Sequence, residues 1–258
     1  MHLYKRWCNN TRTSRKKKHF WRFVEKIDGR ADVTKDLCKT VLSHYHDLDR
    51  IADDMKRLGY EATAEIVRSR LPTRPRARSG DLGEILAAEL VEEEMGFAVP
   101  VRRLHYKDDR EMPLRGDDFI GVGYDDRDRL CLLKGEAKSR KILTKTTIDQ
   151  ARAALNENQG RCTPASLLFV ADRLMDRGGD DEALGRDIRD EVGIKSLPRG
   201  RIEHALFVMS GNKPPKALQK DLSNADSGRE HTVMHFYVED HQQLIAFIYD
   251  RVSVLGIR

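Results

Sequence analysis

Apolar residues begin to recur at three- and four-residue spacing from Thr34, at Leu37, Val41, Tyr45, Leu48, Ile51, Ala52, Met55 and Leu58. That period predicts an amphipathic helix, and Gly59 ends it as a C-terminal glycine does. A shorter helix is expected over about 61–71. It runs into Leu71-Pro72-Thr73-Arg74-Pro75, which reads as a linker. Residues 1–30, by contrast, carry aromatic side chains (Trp7, Phe20, Trp21, Phe23) on only a weak periodicity. Beyond the linker the pattern changes. A helix is expected at 81–95, an alternating strand at 97–105, and strands at 118–124 and 130–138 joined by an Asp125-Asp126-Arg127-Asp128 turn. Next come a helix at 145–157, a buried strand at Ser166–Ala171, a helix at 180–192, strands at 203–210 and 232–238, and a closing helix at 240–254. This order implies an α/β fold in which helices flank a mixed sheet. A small helical N-terminal region (1–75) would precede the main domain (76–258).

Charge sharpens that picture. The 258 residues hold 47 Lys and Arg against 42 Asp and Glu, for a net charge of +5. Seven of the first twenty residues are basic and none is acidic, and a second cluster comprises Arg68, Arg70, Arg74, Arg76 and Arg78. Such clusters suit a polyanion such as DNA, because phosphate contacts supply most sequence-independent affinity. A solvated tail is the alternative for the N-terminal run. No stretch has the length of a membrane span, and no apolar segment follows the basic N-terminus as a secretory signal requires. The four cysteines are scattered, without the paired spacing of a zinc site. A reduced, cytoplasmic protein is the expectation.

The candidate chemistry lies on the two central strand segments. Leu130–Lys138 is a buried-strand pattern ending in Gly135-Glu136-Ala137-Lys138. Alternation puts Glu136 and Lys138 on one face. A surface-facing pair is the alternative, since Lys134 shares that face. Against it, unpaired charge on a central strand is costly. A second acid-x-Lys triplet, Asp54-Met55-Lys56, lies in a helical pattern, where residues two apart do not share a face. Asp118 opens the preceding strand with Ile120 and Val122 in phase; Asp117 is its rival on the opposite face, and both would cap a turn in the alternative reading. Glu84 is expected to open a helix on the stripe of Ala88, Val91 and Met95; Asp81 and Glu84 are also spaced as a capping box. Gln150, on the helix after the Glu-x-Lys strand, would reach a phosphate or a metal-bound water, or simply face solvent. Together Asp118, Glu136 and the Ala137 carbonyl offer hard oxygen ligands for Mg2+ or Mn2+. Lys138 would position or help deprotonate a water and stabilise the charged transition state. No phosphate-binding Walker loop exists, so ATP hydrolysis by this chain is not expected.

A helical Glu84, Gly-x-Asp118, Gly-Glu136-x-Lys138 and a following helix together resemble the PD-(D/E)XK nuclease superfamily over about residues 80–172. No proline precedes Asp118, which leaves the choice between Asp117 and Asp118 open. More narrowly, Arg-Ser-Gly-Asp-Leu-Gly-Glu84, Gly-Asp-Asp118, Gly-Glu136-Ala-Lys138 and the N-terminal extension resemble the HamA family, the nuclease subunits of Hachiman antiphage defence systems. The resemblance implies a metal-dependent DNA nuclease with catalytic Glu84, Asp118, Glu136 and Lys138. It also implies a helicase partner, HamB, that restrains and releases it. A non-catalytic DNA- or partner-binding member of the same fold is the competing reading.

Overall fold

The computed structural model describes residues 2–195, 197–213 and 216–255. The elements run α1 (Leu3–Trp7), β1 (Cys8–Arg15), β2 (Lys18–Glu25), α2 (Gly29–Ser43), α3 (Leu48–Leu58), α4 (Tyr60–Arg70) and α5 (Pro75–Glu94). They continue through β3 (Phe119–Tyr124), β4 (Leu130–Arg140), α6 (Lys145–Asn156), α7 (Pro164–Arg177) and α8 (Asp180–Ile194) to β5 (Ile202–Ser210), α9 (Lys216–Asn224), β6 (His231–Tyr237) and α10 (His241–Ser253). The strands form one six-stranded sheet in the order β1-β2-β6-β5-β4-β3. β2, β6, β5 and β4 pair in parallel, and the antiparallel β1 and β3 lie at the two edges. The expected mixed sheet flanked by helices is therefore present.

Alternation along the strands sorts the core onto the two sheet faces. On β4, Cys131, Leu133 and Ala137 pack with α1, α2, α5 and α10. Leu132, with Ile120 and Val122 of β3, meets α7 and α8, while Leu206 and Val208 of β5 meet α6 and α9. Most of the expected elements after residue 130 lie where the pattern puts them.

Four expectations are corrected. The pattern from Thr34 to Leu58 is two helices, because His44 ends α2 and the Asp47 side chain, accepting from Asp49 N and Arg50 N, starts α3. Residues 97–105 make no strand. Ala98 forms an isolated bridge with Val122, and a 3-10 turn occupies Arg103–Tyr106; Pro100 lacks the N–H a ladder needs. Ser166–Ala171 lies inside α7: Thr163 caps the helix by accepting from Ser166 N, and Pro164 fills its first turn. The weakly periodic N-terminus holds the hairpin β1–β2, with the basic run Arg15–Lys18 at its turn. β2 pairs along β6, so strands of the same sheet lie on both sides of the expected division at residue 75.

Candidate functional site

β3 and β4 bring the two acidic motifs together. Phe119 pairs with Gly135, which places Asp118, immediately before β3, beside Glu136. The approach depends on glycine: a Cβ on Gly135 would lie 2.1 Å from the Phe119 ring. Asp118 Oδ2 accepts from Ala137 N at 2.8 Å, and Lys138 Nζ is ion-paired with Glu136 Oε1. Glu136 and Lys138 share a strand face, as their spacing requires. Lys134, two residues earlier, turns to the Glu157 carbonyl at 3.0 Å and to Asp117 Oδ1 at 3.4 Å.

The rival acid has a different environment. Asp117 is buried; its Oδ2 accepts from Thr163 N at 2.7 Å and its own N–H donates to Ser166 Oγ at 2.8 Å. It fastens the loop before β3 to the start of α7 and faces Lys134. Asp118 faces the Glu136–Lys138 pair. Gly116, at φ +93°, makes the turn into these acids, and a Cβ there would meet Ser166 Oγ at 2.2 Å.

Glu84 reaches the cluster from α5. It sits deep inside that helix, which starts at Pro75, so the helix-opening position and the capping-box alternative are both replaced. The apparent cap Asp81 is instead buried, accepting from Lys107 Nζ at 2.9 Å on each oxygen and from Tyr45 Oη at 2.7 Å. Helix and strand touch where Gly83 faces Ser139, at 3.1 Å from a Cβ built on the glycine. Ser79 Oγ, Ser139 Oγ and His241 Nε2 continue the seam at 2.8 and 2.9 Å and tie α5, β4 and α10 together. Glu84, Asp118 and Arg103 line a cavity of about 20 Å³, enough for about one water. Arg103 also donates to the carbonyls of Asp117 and Arg115 and so holds the loop that carries both acids. Gln150 is exposed on α6.

Crowded carboxylates resist ionisation. Burial and then the charge of Asp118 push Glu136 up to about 7, against the pull of Lys138. Burial, then Asp118 and Asp81, raise Glu84 well above the ordinary carboxylate range. Asp118 is raised by burial, opposed by Lys138 and the Ala137 N–H. Burial alone would lower Lys138, but Asp118 and Glu136 outweigh it and raise its pKa, so it stays cationic at neutral pH. Acids shifted upward around one lysine in this way form a place where added positive charge is favoured.

Sequence reasoning missed Arg103, Lys107 and the structural role of Asp81. Each acts through a contact distant in sequence, and no local motif marks it. Among the described residues, no group of three or more His, Cys, Asp and Glu side chains is arranged to hold a metal ion by itself.

The chain is similar to known proteins of one family. A family model described as HamA matches residues 1–252. The Hachiman protein HamA of Bacillus cereus is 30% identical over 156 residues, a match covering 60% of this chain and 54% of that protein. The chain thus spans about half the length of that curated relative. The family match, by contrast, runs through every strand of the sheet and the three acids and the lysine of the candidate cluster; the chain belongs to the HamA family.

Proposed function

We propose that the protein is a metal-dependent DNA nuclease acting as the effector subunit of an antiphage defence complex with a helicase. The observation that carries this reading is the position of Asp118, bound to the β4 backbone beside Glu136–Lys138 and sharing a cavity with Glu84. Mg2+ typically takes only one or two protein carboxylates and completes its shell with water and substrate phosphate. Asp118 and Glu136, with the Ala137 carbonyl between Glu136 and Lys138, would hold Mg2+ or Mn2+; Glu84 would add a carboxylate from the α5 side. The bound cation would neutralise charge on the scissile phosphate and acidify a water.

The chain's own groups do the rest. Glu136 ionises near neutral pH, so a cation can displace its proton without strongly acidic competition. Lys138, held cationic by its two acidic neighbours, orients the attacking water and stabilises charge that develops on the phosphate oxygens. As a protonated amine it is not the base. Arg103 keeps the Asp117–Asp118 loop in register, which matters because ångström-scale misplacement degrades such sites.

A second reading, a member of the fold that binds DNA or its partner without cutting, is favoured by the described residues, among which no group of three or more His, Cys, Asp and Glu side chains is arranged to hold a metal ion by itself. Incubating the chain with supercoiled and single-stranded DNA, with Mg2+ or EDTA and with or without the helicase, separates the two. Divalent-dependent cleavage in either arm supports the nuclease. Stable DNA binding without cleavage, helicase and ATP included, supports the second reading.

A further inference from the structure

A second cluster of cations lies away from the acids, at the opposite end of the parallel strands. His204 of β5 pairs with Lys134, four residues before Lys138 on β4, and opens onto a cavity of about 390 Å³. That size lies within the range of small-ligand sites. Arg152, Arg199 and Arg229 line it together with Asp221 and Asp226. Arg152 is matched by Asp221, at 2.8 Å. Arg229 is only 2% exposed, yet its nearest acid is the half-exposed Asp226 at 3.5 Å. Arg199 is exposed and has no ion-pair partner among the described residues. Two arginines therefore share one distant acid across an open cleft.

The wall of the cavity is built to hold Arg229. Asn158, Gln159 and Gly160 all adopt left-handed backbone, at φ +52°, +58° and +73°. Such a run persists only where its surroundings impose it. Here it turns the Gln159 and Gly160 carbonyls onto the Arg229 guanidinium, and Gly160 O also lies 2.8 Å from His204 Nε2. A Cβ on Gly160 would lie 2.8 Å from the guanidinium. Burial lowers the Arg229 pKa against the pull of Asp226, with Arg199 and Arg161 adding to the fall, and the three arginines lining the cavity outnumber its two aspartates. Carbonyl dipoles hold the cation in place without neutralising it.

We propose that this cavity binds the phosphate of a nucleotide, either free or within a strand. Planar guanidinium groups match phosphate geometry and bind it more strongly than neutral donors do. The proposal does not depend on the nuclease reading. The same turn presents the Glu157 carbonyl to Lys134, so the cavity and the acid cluster share one structural element.

Calorimetric titration of the full chain with inorganic phosphate, a nucleoside 5′-monophosphate and a short 5′-phosphorylated oligonucleotide tests it. The panel comprises wild type, Arg199→Ala and Arg229→Lys. Arg199 is exposed, so its variant folds whatever the fate of Arg229→Lys. We expect wild type to bind, and Arg199→Ala to bind roughly tenfold more weakly through loss of one charge-assisted contact. Binding of the monophosphate identifies a free nucleotide as the source, and binding of the oligonucleotide alone identifies a strand. Wild type binding none of the three, or Arg199→Ala binding as wild type does, overturns the proposal.

Discussion

At the residue scale, the decisive distinction is between two neighbouring aspartates. Asp117 accepts from Thr163 N and faces Lys134, while Asp118 accepts from Ala137 N and faces Glu136 and Lys138. Strand parity made them rivals in the sequence, and the partner each one finds separates them. Glu136 carries a testable pH signature. Its pKa rises from the ordinary 4.5 to about 7 through burial and Asp118, so the folded state holds the proton more tightly than the unfolded chain does. The stability this contributes is complete below about pH 4.5 and is lost as pH rises through about 7. We expect Glu136→Gln, melted without divalent ions, to match wild type near pH 5 and to exceed it at pH 8. The gain would be on the order of 2 kcal/mol. A difference that does not change with pH would contradict the shifted carboxyl.

At the scale of elements, the site depends on two close approaches at glycines, one that leaves no room for a Cβ and one that a Cβ would crowd. Phe119 lies across Gly135, and Gly83 lets α5 meet β4 at Ser139. Gly135→Val should displace Phe119 and with it Asp118, costing about 1–3 kcal/mol as overpacking does, read from a denaturant melt. Wild-type stability in that variant would show that the β3–β4 register does not need the glycine. The strands that carry Asp118, Glu136 and Lys138 were legible because β4 is a continuous apolar run ending in charge, and Gly116 marks the turn before β3. Glu84 was legible as a helical residue but not as an interior one. Gly80, Asp81 and Gly83 imitate a helix start, whereas Asp81 is used in a buried contact with Lys107 and Tyr45. The run Ser166–Ala171 misled for a different reason. A serine followed by five apolar residues fits a strand or one side of a helix equally well, and the Thr163-Pro164 cap is the local cue that distinguishes them. β1 left no signal at all, since after Cys8 every residue of this edge strand is exposed and no buried face forces alternation.

At the scale of the molecule, the N-terminus is part of the core. Tyr4, Trp7 and Phe23 pack in the same cluster as Phe236 and Leu86, and Trp7 meets the Phe236 ring edge-on at 4.7 Å between centroids. Deleting residues 1–25 would uncover β6, whose neighbour β2 would be gone, and leave an open strand edge prone to aggregation. We expect that truncation to be insoluble or to lose its cooperative melt; a soluble fragment with the wild-type transition would contradict this. The central claim is that the acids and lysine at the Asp118 end of β3 and β4 cut DNA. Its most direct measurement is Mg2+-dependent DNA cleavage by wild type, Glu136→Gln and Lys138→Ala, each shown to be folded and assayed with and without the proposed helicase. We expect wild type to cut and each variant to lose about a hundredfold or more, the scale on which removing a charge-stabilising group acts. Variants that cut as wild type does would contradict the assignment of this site.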